Sequence, residues 1–305
     1  MRALRKACAA WVPRGLRTLP LLAALAAADT VGAASAVPMA PQRIVSLLPS
    51  ATEAVCALGA CQRLVGVDVF SQDPASVRAL PQLGRTFQPD IEGIVRLKPD
   101  LVLMAPLTPL ADKLRALGLH VQVVDVRTLA QVQQMLQQLD AVLGTHRADA
   151  VWQSLQTQLD AVARSLPATA AAPQVYLEVD AALYAAGPAS FMGELLARLG
   201  AGNVLPQSAA PFPRVTPEWV LRADPDWVIQ THGATLHALA QRPGWSRLRA
   251  LQQGQVCTLS PAESRVVTRP GPRLATAAQV LARCLRGQRT PLPAAVLEWN
   301  DETQP

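Results

Sequence analysis

Glu92-Gly93-Ile94-Val95-Arg96-Leu97-Lys98-Pro99-Asp100-Leu101-Val102-Leu103 aligns without gaps on Glu218-Trp219-Val220-Leu221-Arg222-Ala223-Asp224-Pro225-Asp226-Trp227-Val228-Ile229, 126 positions further along the chain. Glu, Arg, Pro, Asp and Val coincide, and the apolar pattern agrees throughout. Each copy reads as a short helix that ends ahead of its proline and leads into a buried apolar strand. A second echo pairs Leu58-Gly59-Ala60 with Leu199-Gly200-Ala201, each closing a helix that starts near a serine. These separations are too long for a solenoid repeat. They predict two lobes built on one plan.

Around the repeats, short apolar runs alternate with amphipathic stretches. Ile44–Leu48, Leu64–Val67, Leu101–Met104, Val121–Val126 and Val175–Val179 read as strands. Ser50-Ala51-Thr52-Glu53 has the order of a capping box, which opens a helix expected to stop at Gly59. Ile91–Leu97 and Leu110–Leu117 read as helices, the second stopped by Gly118. Such alternation predicts parallel α/β sheets. From Leu129 to Leu166 there is no proline and only one glycine, Gly144. Apolar residues keep helical spacing from Ala150 to Leu166, so a helix over 146–166, ~30 Å long, is expected to join the lobes. The domain reading is therefore an α/β lobe over 42–145, this connecting helix, a second α/β lobe over 173–288 and a tail over 289–305.

The chain has 305 residues, half of them apolar and 16% charged, a balance that excludes a disordered protein. Its formal charge of +6 is concentrated at the N-terminus, where Arg2, Arg5, Lys6, Arg14 and Arg17 face a single acid, Asp29. No basic stripe with interleaved aromatics follows, so nucleic-acid binding is not expected. The basic stretch leads into the apolar run Thr18–Ala28 and then Ala34-Ser35-Ala36. That order is a secretory signal peptide over 1–36, and the run is shorter than the ~20 residues of a membrane span. In an exported chain, Cys56, Cys61, Cys257 and Cys284 suggest two disulfides with three possible connectivities. Spacing favours Cys56–Cys61 and Cys257–Cys284; a metal site is the rival reading, but no CxxC pair occurs.

Motifs of catalysis are missing. There is no dinucleotide-binding Gly-x-Gly-x-x-Gly after a strand, no phosphate loop and no Gly-x-Ser-x-Gly elbow. His120 and His146 open a strand and a helix, and His232 and His237 are spaced wrongly for one helix face. His232 follows the run Trp227–Thr231, at the strand end where α/β sheets place ligand contacts. It reads either as a loop histidine or as part of a site.

Three stretches, 43–53 (Arg-Ile-Val-Ser-Leu-Leu-Pro-Ser-Ala-Thr-Glu), 64–68 (Leu-Val-Gly-Val-Asp) and 91–102, resemble the periplasmic binding proteins of ABC importers for vitamin B12, ferric siderophores and haem. The resemblance continues through Tyr184–Ser190, Pro211-Phe212-Pro213 and Pro217-Glu218 to Arg269-Pro270-Gly271-Pro272-Arg273, and within the family it is nearest to the B12-binding members. It implies a class III fold: two Rossmann-like α/β lobes, one long backbone helix and a ligand cleft between the lobes. It implies no reaction and no intrinsic cofactor or metal. The transported ligand would be cobalamin, with a ferric siderophore or haem as alternatives. The partners would be a permease dimer and its ATPase, the free receptor being a periplasmic monomer. An exported enzyme using the same cleft, or a signalling receptor, is the rival from another class.

By the same resemblance, one glutamate per lobe docks on the permease, and these map onto Glu92 and Glu218. Each also reads as an acid in a first helical turn, favoured there by the dipole. The cleft loops would contribute Pro49, Ser50, Phe70, Arg85 and Phe87 from the first lobe. The second would contribute Tyr184, Phe212, Arg214, His232 and Arg265. The chain has only four phenylalanines, and three fall in these loops, where stiff rings suit a flat macrocycle. The bland reading is that the rings cap the lobes. Arg85, Arg214 and Arg265 would suit an anionic chelate, and Tyr184 or His232 could serve haem as an axial ligand. Phe87 stands where a larger indole is expected from the B12 pattern.

Overall fold

Strand residues that alternate between two apolar faces build both sheets. The computed structural model describes residues 39–167, 171–207 and 210–299, so the signal peptide expected over 1–36 and the end of the tail lie outside the described residues. The first lobe contains β1 (Ile44–Ser46), α1 (Pro49–Ala57), β2 (Leu64–Val67), the β3–β4 hairpin (Gly84–Arg85 and Gln88–Pro89), α2 (Ile91–Arg96), β5 (Leu101–Met104), α3 (Thr108–Ala116) and β6 (Val121–Val123). Next come α4 (Leu129–Leu143) and α5 (Ala148–Arg164). The second lobe contains β7 (Gln174–Glu178), α6 (Phe191–Arg198), β8 (Gly202–Asn203), α7 (Pro217–Ala223), β9 (Trp227–Gln230), α8 (Leu236–Ala240), α9 (Arg249–Gln252), β10 (Val256–Thr258), α10 (Pro261–Val267) and α11 (Leu274–Leu285), followed by α12 (Ala294–Leu297).

The first sheet runs β2-β1-β5-β6 and the second β10-β9-β7-β8, all strands parallel. Numbered within its own lobe, each sheet has the order 2-1-3-4. Side chains alternate faces along a strand. Leu101 and Leu103 of β5, like Val175 and Leu177 of β7, enter one core that also takes in α5 and α11. Val102 and Met104 enter a second core, and Tyr176 and Val228 a third, on the outer faces of the two sheets.

The aligned segments are structurally equivalent. Asp90 caps α2 by accepting from the Gly93 amide, and Thr216 caps α7 by accepting from the Trp219 amide. The residue ahead of each proline, Lys98 or Asp224, turns left-handed, with φ of 46° and 40°. Asp100 then accepts from the amides of Gln42 and Arg43 at the entry to β1, and Asp226 accepts from the Gln174 amide at the entry to β7. Gly59 and Gly200, at φ of 81° and 78°, end α1 and α6 in conformations that only glycine adopts without strain.

Two local expectations are corrected. Ser50 does not cap α1: the helix starts at Pro49, whose missing N–H suits the first helical position, and Leu48 precedes it with no side-chain cap. Glu53, freed from that role, turns to the other lobe. The connecting helix is Ala148–Arg164, 17 residues, shorter than the expected 146–166, because His146 is left-handed at φ 55°. Its buried stripe, Val151, Leu155, Leu159 and Val162, faces α4 and α11. No helix among the described residues is long and apolar enough to cross a membrane.

Disulfides join Cys56 to Cys61 and Cys257 to Cys284, with sequence separations of 5 and 27. The longer loop constrains the unfolded chain more. Replacing Cys257 and Cys284 by alanine should therefore cost about 3.5 kcal/mol in urea unfolding, against about 2 kcal/mol for the short loop. Peptide mapping should recover these two links; a crossed pair would contradict the arrangement.

Candidate functional site

In a sheet of order 2-1-3-4 the chain leaves the first strand toward one side and returns on the other, so a crevice opens beyond the C-terminal ends of the first and third strands. In the first lobe these are β1 and β5; in the second, β7 and β9. The residues read as ligand contacts lie on several loops: Pro49 and Ser50 follow β1, Tyr184 follows β7 and His232 follows β9, whereas Phe70 follows β2, Phe87 sits on the β3–β4 hairpin and Arg265 lies on α10.

Phe70 follows β2 and is 44% exposed, with the Arg85 guanidinium 5.7 Å from its ring centroid. Phe87, at the tip of the β3–β4 hairpin, is 81% exposed. In the second lobe Tyr184, 41% exposed, pairs its backbone with that of Arg214, whose Nε donates to the Ala182 carbonyl at 3.0 Å. Arg265 is exposed on α10. The structure thus brings Phe70 to Arg85 and Tyr184 to Arg214. Others are set back. Ser50 is buried, its backbone lying under Gly271, which leaves Pro49 nearer the surface. Phe212 is half-buried, edge-on to Phe191 at 6.2 Å between ring centroids.

His232 is held by a group that the sequence reading did not single out. Its Nε2 lies 2.5 Å from Oε1 of Glu178, a fully buried carboxylate at the end of β7. Arg242 donates to both Glu178 oxygens at 2.7 and 2.8 Å, and the Tyr176 hydroxyl donates to Oε2 at 3.0 Å. Burial and the neighbouring carboxylate push the Tyr176 hydroxyl well above the usual phenol range. Arg242 also lies over the buried Trp245 ring, 4.4 Å from its centroid. The signal for this cluster was available: one acid inside the apolar run Val175–Val179.

A second buried cluster joins the lobes. Arg269, between α10 and α11, reaches Glu53 of α1 at 2.9 Å, while Arg273 reaches Asp73 at 2.8 Å. Burial pushes the Glu53 carboxyl up, and Arg269 and Arg273 pull it down. Nearby, burial raises the Asp68 carboxyl against hydrogen bonds from Ser71 and Phe70. A chain of hydroxyls runs on from Ser71 to Thr52 at 2.8 Å and to Ser46, at the end of β1, at 2.9 Å.

Glu92 and Glu218 occupy equivalent first-turn positions in α2 and α7, both exposed. No group of three or more His, Cys, Asp or Glu among the described residues is placed to hold a metal ion.

Two lobes of identical strand order, exposed aromatics on loops of both and one connecting helix define a class III binding protein. The periplasmic binding protein family matches residues 44–263, and the chain belongs to that family. It is 29% identical over 256 residues to an uncharacterized ABC transporter substrate-binding lipoprotein of Bacillus subtilis, covering 80% of each chain. It is 30% identical over 200 residues to the vitamin B12-binding protein of Pectobacterium atrosepticum, covering 62% of this chain and 71% of the relative. A periplasmic haem-binding protein of Pseudomonas aeruginosa superposes with a TM-score of 0.67 at 29% identity, over 83% of this chain and 95% of that one.

Proposed function

We propose that this chain is a periplasmic receptor that captures a corrinoid between its two lobes and delivers it to an ABC importer, without catalysing a reaction. The observation that carries this reading is the exposure of Phe70, Phe87 and Tyr184 on loops of both lobes, in a chain with four phenylalanines and two tyrosines. Exposed aromatics on such loops offer flat apolar surface to a macrocycle. The likeness to a vitamin B12-binding relative supports the same ligand class. Phe70, Phe87 and Tyr184 would make the main contacts, with Pro49, Phe212 and His232 behind them, while Ser50 would act only through its backbone neighbours.

A second ligand reading rests on charge. Arg85, Arg214 and Arg265 are exposed, and none forms an ion pair among the described residues. Exposed arginines in both lobes would suit an anionic chelate, such as haem with its propionates or a ferric catecholate.

Titration with cyanocobalamin, haemin and a ferric catecholate, followed by absorption and tryptophan fluorescence, separates these readings. Cyanocobalamin should bind with sub-micromolar affinity. Phe70→Ala with Phe87→Ala should weaken binding by ~30-fold or more, the usual loss for buried aromatic contacts. Tight binding of haemin with no corrinoid binding would replace the ligand and keep the receptor.

A further inference from the structure

Phe70 is gripped from both lobes. Its backbone N–H donates to Asp68 Oδ2 at 3.2 Å within its own lobe. Its carbonyl accepts from Nη2 of Arg269 at 2.7 Å, and Arg269 belongs to the second lobe, 199 residues further on. The other end of the same guanidinium, Nη1, donates to Glu53 Oε1 at 2.9 Å. Glu53, Asp73, Arg269 and Arg273 are all buried and pair with one another, and Arg78 reaches Asp73 from its other side at 3.8 Å. Glu53 Oε2 has no hydrogen-bond partner among the described residues. A buried ion pair of this kind is weak support for stability but strict about geometry.

We propose that Arg269 is a positioning residue that sets the Phe70 ring from the opposite lobe, so that lobe spacing and the presentation of that ring are a single variable. This rests on the reading of Phe70 as a ligand contact. The guanidinium fork carries the argument: it spans Glu53 and the Phe70 carbonyl at once, which a lysine ammonium on a flexible stem cannot do in the same plane. The backbone amide and carbonyl of Phe70 are thereby fixed relative to different lobes. A shift between the lobes turns the peptide plane that carries the ring. Conversely, a ligand that presses on the ring acts on the Arg269–Glu53 contact. Arg85, packed over the same ring, moves with it.

Arg269→Lys keeps a charge beside Glu53, so the fold survives while the bond to Phe70 is lost. The chain has four phenylalanines, so protein made with fluorinated phenylalanine gives four ¹⁹F resonances. Phe70→Leu assigns the relevant one. In ligand-free protein, Arg269→Lys should shift or broaden the Phe70 resonance and leave that of the buried Phe191 unchanged. In a cyanocobalamin titration it should weaken binding about three- to tenfold, the scale of one hydrogen bond. The same substitution should have no further effect in a Phe70→Ala background, as expected for coupled residues. An unmoved Phe70 resonance overturns the proposal, as does an equal loss of affinity with and without the Phe70 ring. If cyanocobalamin does not bind the unaltered protein, the corrinoid reading falls, and the ¹⁹F comparison alone decides the positioning role.

Discussion

Cells whose receptor carries Glu92→Lys with Glu218→Lys should take up ligand at background rate, while the purified variant binds it as the unaltered protein does. The two acids open the helices that precede the third strand of each lobe, and both are exposed. We propose that these acids dock on the importer: two like lobes offering one acid each would suit a permease dimer that presents its surface twice. A solvated charge pair contributes ~1 kcal/mol or less. Complementary fields act more strongly on encounter, raising association rates by factors of roughly 10 to 1,000. Removing both acids should therefore slow uptake at least ~10-fold, and reversing both should abolish it, because a surface that attracts acids repels lysines. Uptake with the cognate transporter and ligand titration in solution must be measured on the same variants. Normal uptake, or a collapse of ligand affinity instead, would assign these acids a different role.

Arg242→Met should be among the most damaging single changes in the second lobe. Methionine keeps most of the stem that lies on Trp245 but removes the only arginine bonded, among the described residues, to the fully buried Glu178. Stranding a buried charge in this way costs about 3–5 kcal/mol. In a chain of this size that lowers the unfolding midpoint by roughly 10 °C. His232 remains beside the carboxylate, and the Tyr176 hydroxyl still donates to it, so part of the loss is recovered. Replacing both partners, Glu178→Leu with Arg242→Met, should cost less than Arg242→Met alone, since no charge is then left in the core. Calorimetry or urea unfolding decides the matter. A single variant within about 0.5 kcal/mol of the unaltered protein, the usual range of surface changes, would mean that water reaches Glu178.

Features that depend on neighbours in the chain were readable in advance. Strand Leu101–Met104, the stops at Gly59 and Gly118 and the repeat spanning Pro99 and Pro225 all follow from local spacing and backbone restriction. The rarity of aromatics drew attention to Phe70, Phe87 and Tyr184, and these rings are exposed. Depth was not readable. Ser50 lies under Gly271 and Phe212 leans on Phe191, so their burial depends on segments brought up by the tertiary fold. Glu53 shows the same limit. Its spacing from Ser50 imitated a capping box, whereas its partner Arg269 lies 216 residues away, and an ion pair at that range leaves no periodic trace. Asp224 and Lys98 adopt a conformation usually given to glycine, so composition did not flag them as helix stops.

The core that takes in α5 also holds side chains from both sheets, Leu101 and Leu103 with Val175 and Leu177. Receptors whose lobes hang on flexible strands can let one lobe melt while the other survives. Here the inner face of each sheet is buried against helices that also serve the other lobe, so loss of either lobe strips apolar cover from its partner. The two lobes therefore fold and fail together. On the proposed function, opening for ligand release would then favour a tilt of the lobes over the melting of one of them.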